Sequence, residues 1–565
     1  MEKIKGFPFV FIVLLLSIPT VLPLLPPGIY TMHDNTQVAR VFQMAVALQD
    51  GMFPVRWVKD LGYGYGYPLF NFYAPFPYYV GGILYLLTSS VITSTKIMIG
   101  LGTLLAGASM YFASSRLLGK WAGIASALTY MYFPYHALNI YVRGAIGEMY
   151  AYAFLPLFFY GFFILLENSK GKKILKDSIS PIVITATSFA AVTISHNLTA
   201  FMLSIILIPL GFIGIFFTKN KFRFFLYLTT SFTLGALLSA FYAIPALLEM
   251  GYTNVMSQVG GGADFHDHYV CITQLWTSNW GYAGSTSGCT DGISFALGKN
   301  NIILVFTSII FSLYYFFKMK KLKKLFLFLS IFVTLILSLF LTLNFSRFLW
   351  THIPSIEFLQ FPWRFLNFSA LSISLILGFI VWTAIKLNFK KIGIGLSILI
   401  SASQLLLHQD VFSAQRYDMT TEKEYMRREY LRFEASKISD EYLPKNFKKP
   451  KNENELFDKK VELVTGGGKI MSINESTNNV TTAINVDGTA EIKINSAPFP
   501  AWKLFVNGEE KDYLKKDDGI YFSLAPGNYE IEYKYVSTPT QRVANLLSII
   551  GLGVLLIGII WSRKK

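Results

Sequence analysis

Apolar runs of about 18 or more residues recur along most of this chain, separated by short loops crowded with lysine and arginine. Each run is long enough to cross a hydrocarbon layer of roughly 30 Å as a helix. Of 565 residues, 53% are hydrophobic and 15% charged, which no water-soluble domain arrangement could bury. The chain reads as a polytopic membrane protein.

The formal charge of +16 raises the possibility of a nucleic-acid partner, but the placement of the basic residues excludes it. They fall at Lys3 and Lys5; Arg116 and Lys120; Lys170, Lys172, Lys173 and Lys176; Lys219, Lys221 and Arg223; Lys318, Lys320, Lys321, Lys323 and Lys324; Lys386, Lys390 and Lys391; and Arg563, Lys564 and Lys565. These loops hold about 22 basic residues against about three acidic ones, the excess that marks cytoplasmic loops. The charge therefore reports orientation.

With those loops inside, spans must cross in pairs between them. The sequence supplies about twelve, near 7–25, 97–115, 121–138, 149–166, 178–195, 199–217, 224–246, 299–317, 325–343, 366–385, 392–408 and 543–561. Both termini are then cytoplasmic, in a plasma membrane. The first run has a basic start but no small-x-small cleavage site before "PPG", so it reads as a retained span. One apolar stretch, 76–92, is left over. Counting it as a span would turn every later basic loop outward, so it is expected to be re-entrant or interfacial on the outer side.

Just before it stands "YGYGYPLFNFYAPFPYY", rich in rings, glycine and proline, which suits the headgroup layer and is expected to shape a lipid-headgroup groove there. "HDNTQVARVFQMAVALQDG" reads as an amphipathic helix lying flat in the interface, with Val38, Val41, Phe42, Ala45 and Leu48 on one face.

The same parity places several polar sets on the outer surface: His33 with Asp34; Arg143 with Glu148 in "RGAIGE"; His196 in "SHN"; the long loop 248–298; and Trp363 with Arg364 in "FLQFPWRF". Ionisable groups at span ends are costly to bury, so their convergence on one face points to an aqueous site cut into the membrane surface. Each also has a structural reading. Asp34 suits a helix N-cap, Arg143 and Glu148 can pair, His196 can close a span end, and Arg364 beside Trp363 can anchor at the interface.

In the long loop, Asp264, His266, Asp267 and His268 have ligand chemistry suited to a divalent ion, although their spacing matches no zinc template. Cys271 and Cys289, the chain's two cysteines, both lie there. On an oxidising face they would form a disulfide worth roughly 3 kcal/mol; the alternative is two free thiols.

From about 409 to 541 the composition turns to that of soluble protein. A charged, helix-prone opening precedes alternating stretches such as "KVELVT", "NVTTAINV", "WKLFVNG" and "YEIEYKY", with turns at "VDG", "KDDG" and "APGN". This predicts a small extracytoplasmic β-sandwich with a binding or supporting role. The expected organisation is thus a transmembrane domain over 1–408, the sandwich over 409–541, and a last span with a basic tail over 542–565.

"HDNTQVARVFQMAVALQDGMFPVRWVKDLGYGYGYPLFNFYAPFPYYVGG", "YVRGAIGEMYAYAFLPL", "SHNLTAFM", "QLWTSNWGYAGSTSG" and "LQFPWRFL" together resemble a bacterial membrane-protein family labelled 6-pyruvoyl-tetrahydropterin-synthase-related. No pterin-synthase pattern accompanies the label. That family is similar to multi-spanning glycosyltransferases of the GT-C fold, which take sugars from polyprenyl-phosphate carriers. The resemblance implies a GT-C-like transmembrane domain, a lipid-linked donor, and a glycan, lipid or protein acceptor. Asp34 matches the acidic position of the first outer loop and Glu148 approximately the second. The second site is Arg-x-x-x-x-Glu in place of Asp-x-Asp, and a Trp-Trp-Asp motif is absent, so transfer to a protein sequon is not implied.

Sugar transfer from a phosphate needs a base for the acceptor hydroxyl, while the leaving phosphate needs little protonation. Asp34 would be that base. Arg143 and Arg364 would hold the phosphate, and Glu148 with His266 or His268 would orient the acceptor or a metal. His33, His196, Trp363 and the ring-rich Tyr65, Tyr67, Asn71 and Tyr73 would contact substrate. The rival expectation is a non-catalytic protein that binds or assembles lipid-linked cell-envelope glycans.

Overall fold

The computed structural model describes residues 7–169, 176–260, 263–319 and 322–563. Lys3, Lys5, Lys170, Lys172, Lys173, Lys320, Lys321, Lys564 and Lys565, which carry much of the charge asymmetry, lie outside the described residues. Ten described helices are long and apolar enough to cross a membrane: Val91–Leu118, Ile146–Ser169, Asp177–Ser195, Asn197–Phe217, Lys221–Leu248, Lys299–Lys318, Lys324–Thr342, Pro362–Lys386, Lys390–Val411 and Pro539–Ser562. The Pro362–Lys386 helix is almost wholly enclosed by its neighbours, whereas Pro539–Ser562 lies on the periphery.

Two of the twelve expected spans fall short. Phe7–Leu16 is a helix of ten residues, after which Pro19 and Pro23 turn the chain through two short 3-10 segments. A proline ring cannot sit in a continuing α-helix without losing a hydrogen bond and clashing with the preceding turn. Lys120–Met131 is twelve residues, about 18 Å long, and stops before Phe133–Pro134. The leftover apolar stretch forms the helix Phe76–Thr88, closed by Ser89 in a left-handed conformation. Its thirteen residues extend about 20 Å, less than a hydrocarbon layer. Ser90 then caps the next helix, accepting from the Thr93 N–H.

The first loop packs against protein. The helix Gln37–Gln49 is covered on both faces: Val41 and Ala45 are fully buried, and Arg40, Gln43, Met44 and Ala47 on the other side are buried as well. Protein covers most of it. The ring-rich stretch meets protein too. Gly62, Gly64 and Gly66 all take positive φ, and a Cβ at Gly66 would strike the Trp57 indole at 2.5 Å. These turns throw Tyr65 against Phe447 and Phe457, each at 4.9 Å between ring centroids, and stack Tyr67 on Tyr442. The alternation of glycine and tyrosine builds a knob that seats the C-terminal domain.

That domain is a sandwich of nine strands, β1 (Val461–Thr465), β2 (Gly468–Glu475), β3 (Asn479–Val486), β4 (Ala490–Ile494), β5 (Trp502–Val506), β6 (Glu509–Lys511), β7 (Leu514–Lys516), β8 (Gly519–Leu524) and β9 (Gly527–Tyr535). One antiparallel sheet runs β1-β4-β8-β7 and the other β2-β3-β9-β5-β6. Alternate burial along β3 and β4 shows the period of two that the sequence displays. The charged opening is broken, with short helical turns at Glu422–Tyr425, Tyr430–Ala435 and Ser436–Ile438. Ahead of them Tyr417–Asp418 pairs with Ile29–Tyr30, a second tie between this domain and the first loop.

Candidate functional site

Asp34 reaches the site because the first loop is zipped onto the approach to the Ile146–Ser169 helix. The His33 and Asp34 N–H groups donate to the Val142 and Arg143 carbonyls, each at 3.0 Å, and Gln37 Nε2 donates to the Gly144 carbonyl. Thr36 stands at the start of the next helix without a side-chain cap bond, so Asp34 is not the N-cap that its position allowed. Its carboxylate is exposed, and no described hydrogen bond engages it. Gly147 brings the third segment in: a Cβ there would lie 2.6 Å from the Ser195 carbonyl oxygen, so only glycine lets the helix start touch the turn that carries His196.

Glu148 is fully enclosed by donors. Oε1 accepts from Tyr135 Oη at 2.8 Å and Asn367 Nδ2 at 2.7 Å, and Oε2 from Arg143 Nη1 at 2.8 Å, with Arg364 Nε 3.7 Å away. This carboxylate is buried and committed to its donors. It fixes two guanidinium groups. Trp363 lies against the Arg143 guanidinium, 4.5 Å from ring to Cζ, and Phe361 stacks on the Trp363 ring. Arg364 Nη1 donates to the Leu359 carbonyl and to Gln360 Oε1. The hydrogen bonds of Arg143 all run through Nη1, leaving the rest of its fork toward the cavity.

Two cavities meet here. The larger, about 430 Å³, is lined by Asp34, Tyr73, Arg143, Glu148, His196 and Arg364, and also by Arg40, Ser439, Glu441 and Tyr442. The smaller, about 270 Å³, is lined by His33, Asp34, Arg143, His268, Ser285, Trp363 and Arg364. Asp34, Arg143 and Arg364 border both. His196 caps the Asn197–Phe217 helix, its Nδ1 3.3 Å from the Thr199 N and 2.8 Å from Thr199 Oγ1. His33 Nε2 donates to the Tyr282 carbonyl.

Other expected contacts lie elsewhere. Tyr65, Tyr67 and Asn71 do not line either cavity; the first two hold the C-terminal domain, and Asn71 joins Arg56 Nη1 at 2.9 Å to Glu249 Oε2 at 2.8 Å. His266 turns to Asp264 at 2.7 Å, while His268 meets Ser285 Oγ at 2.8 Å beside the smaller cavity. Among the described residues no three His, Cys, Asp or Glu side chains come together as a metal site. Cys271 and Cys289 are joined in a disulfide. Ser439, Glu441 and Tyr442 carry no sequence signal, since they arrive from a segment distant along the chain. Arg40 carries one: a charge between Ala39 and Val41 within a largely apolar helix.

Solved structures resemble this fold at low identity. The oligosaccharyltransferase AglB from Archaeoglobus fulgidus, in complex with an inhibitory peptide and a dolichol-phosphate, is 13% identical over 81% of this chain and 61% of its own, with a TM-score of 0.49. Arabinofuranosyltransferase AftD from Mycobacteria is 12% identical over 74% and 27%, at 0.45. ArnT from Cupriavidus metallidurans bound to undecaprenyl phosphate is 10% identical over 72% and 78%, at 0.29. The chain spans about six tenths of the length of the archaeal oligosaccharyltransferase. No curated protein matches the chain significantly. The family model described as the 6-pyruvoyl-tetrahydropterin synthase related domain, a membrane protein, matches residues 70–409, and the chain belongs to that family.

Proposed function

We propose that this protein transfers a sugar from a polyprenyl-phosphate carrier to an acceptor hydroxyl, with Asp34 as the base. The observation that carries the reading is the position of Asp34: an uncommitted carboxylate at the junction of two cavities, beside two arginines held by a buried glutamate. An acceptor in one cavity and a donor in the other would meet at that oxygen. The acceptor oxygen forms the new bond to the anomeric carbon, the bond from that carbon to the phosphate oxygen breaks, and the acceptor proton passes to Asp34. The carrier phosphate leaves with the electron pair, its charge held by Arg143 and Arg364. Glu148 positions the arginines. In this reading the site faces the extracytoplasmic side, opposite the basic loops.

The rival reading, a protein that only binds or assembles lipid-linked glycans, predicts no sugar transfer by the wild type. The test is Asp34→Asn in lipid nanodiscs with labelled undecaprenyl-phosphate sugars. The expected result is a loss of transfer of at least about 100-fold, the scale of general-base catalysis, with carrier binding within about twofold of wild type. Transfer at the wild-type rate would refute the assignment.

A further inference from the structure

Glu441 comes from the connection between the last helix of the main bundle and the sandwich, yet it lines the larger cavity together with Asp34. Its carboxylate accepts from Ser439 Oγ, at 3.1 Å to Oε1, and from its own backbone N–H, and no other described side chain donates to it. Ser439 Oγ in turn accepts from Arg40 Nη2 at 3.0 Å, and the Arg40 guanidinium lies 4.2 Å over the Tyr73 ring. Tyr73 stands within electrostatic reach of both Arg40 and Asp34, and Asp34 within reach of Arg143 and Arg364. Around one cavity, then, stand a cationic pole with Asp34 beside it, an aromatic ring under the Arg40 guanidinium, and a carboxylate with lone pairs to spare.

We propose that Glu441, supplied by the C-terminal region, is the sugar-recognising residue of the cavity: it accepts hydrogen bonds from hydroxyls of a neutral sugar ring lying along Tyr73 and rejects a sugar that bears a carboxylate. The proposal rests on the transferase reading above and names the donor class of that site. Burial pushes the Glu441 carboxyl up, with Arg40 pulling it back down, so the fold leaves this group short of donors that ring hydroxyls would provide. A site built to bond a hydroxyl discriminates strongly, because its buried polar group stays unpaired with the wrong ligand. A second carboxylate facing Glu441 adds like-charge repulsion in a confined space.

The test measures equilibrium binding of bare undecaprenyl phosphate, of undecaprenyl phosphate bearing arabinose, glucose or mannose, and of its glucuronate analogue, to the full chain in nanodiscs. Wild type is expected to bind the best of the three neutral carriers at least tenfold tighter than the bare carrier, and the glucuronate no tighter than the bare carrier. Glu441→Gln should erase most of the neutral-sugar gain and admit the glucuronate, with bare-carrier affinity within twofold of wild type. Glu441→Asp, which keeps the charge, should still exclude the glucuronate. Retention of the full gain in Glu441→Gln overturns the proposal, as does an equal loss for bare and sugar-bearing carriers, which would mark a merely structural role. Bare carrier that fails to bind wild type, or binds unchanged in Arg143→Ala and Arg364→Ala, sinks the transferase reading and this subsite with it.

Discussion

Arg143 and Glu148 form a buried ion pair, Nη1 to Oε2 at 2.8 Å, across five residues of sequence. In an uninterrupted α-helix, residues five apart point to different sides. Here the chain leaves a wide turn over Leu138–Arg143, passes through Gly144 in a left-handed conformation, and starts a new helix at Ile146. The break folds Arg143 back over the first turn of the helix, where Glu148 also lies favourably at the positive end of the helix dipole. The "RGAIGE" motif is thus a device for holding a guanidinium at the mouth of a cavity.

Replacing Glu148 by Gln should therefore act on the arginines. Two buried cations lose their counter-charge, and breaking a buried pair on one side costs about 3–5 kcal/mol. Thermal unfolding in detergent should show the loss, and undecaprenyl-phosphate affinity should fall at least tenfold. A variant as stable as wild type with unchanged affinity would contradict the positioning role.

Gly147→Ala places a methyl 2.6 Å from the Ser195 carbonyl oxygen, a backbone atom with little room to yield. The helix start and the His196 turn must separate, at a cost of about 1–3 kcal/mol for overpacking. Transfer should drop further than stability alone accounts for, as measured by comparing activity and melting temperature with Gly211→Ala, a glycine with open space around it.

Tyr65→Ala removes a ring wedged between Phe447 and Phe457 and should loosen the C-terminal domain by about 3–5 kcal/mol. Limited proteolysis should then cut within the connection over 412–460, where wild type resists. Because Ser439 and Glu441 sit in that connection, activity should fall as well.

His196 gives a pH test. Burial, reinforced by the nearby Arg364 and Arg143 charges and opposed by Glu148, pushes its pKa down to about 3 from the usual 6.5. The unfolded chain therefore binds a proton below pH 6.5 that the folded one refuses, so the His196 contribution is intact above pH 6.5 and is lost progressively from there toward pH 3. Melting temperature should decline between pH 7 and pH 5, and His196→Gln should decline less steeply over the same interval.

Much of the site was legible in the sequence because membrane crossing imposes parity. His33, Asp34, Arg143, Glu148, His196 and Arg364 each sit at an end of an apolar run, and parity assigned those ends to one side. The roles were less legible. Glu148 reads as a second active carboxylate from its position, and only the structure shows the four donors around it. The rings of Tyr63 to Tyr79 suit a lipid headgroup and a protein partner equally well by composition.

What the sequence alone determined is whatever depends on local pattern: the membrane class from apolar length and the strands of the sandwich from their period of two. Only the tertiary structure decided what depends on contacts between distant segments. Glu441 lines the same cavity as Asp34 from some four hundred residues away, and Gln37–Gln49 has its apolar face covered by protein. A period of residues along one element states that a face will be buried. It carries no information about which surface does the burying, because that choice is made by packing between elements whose separation in sequence leaves no local trace.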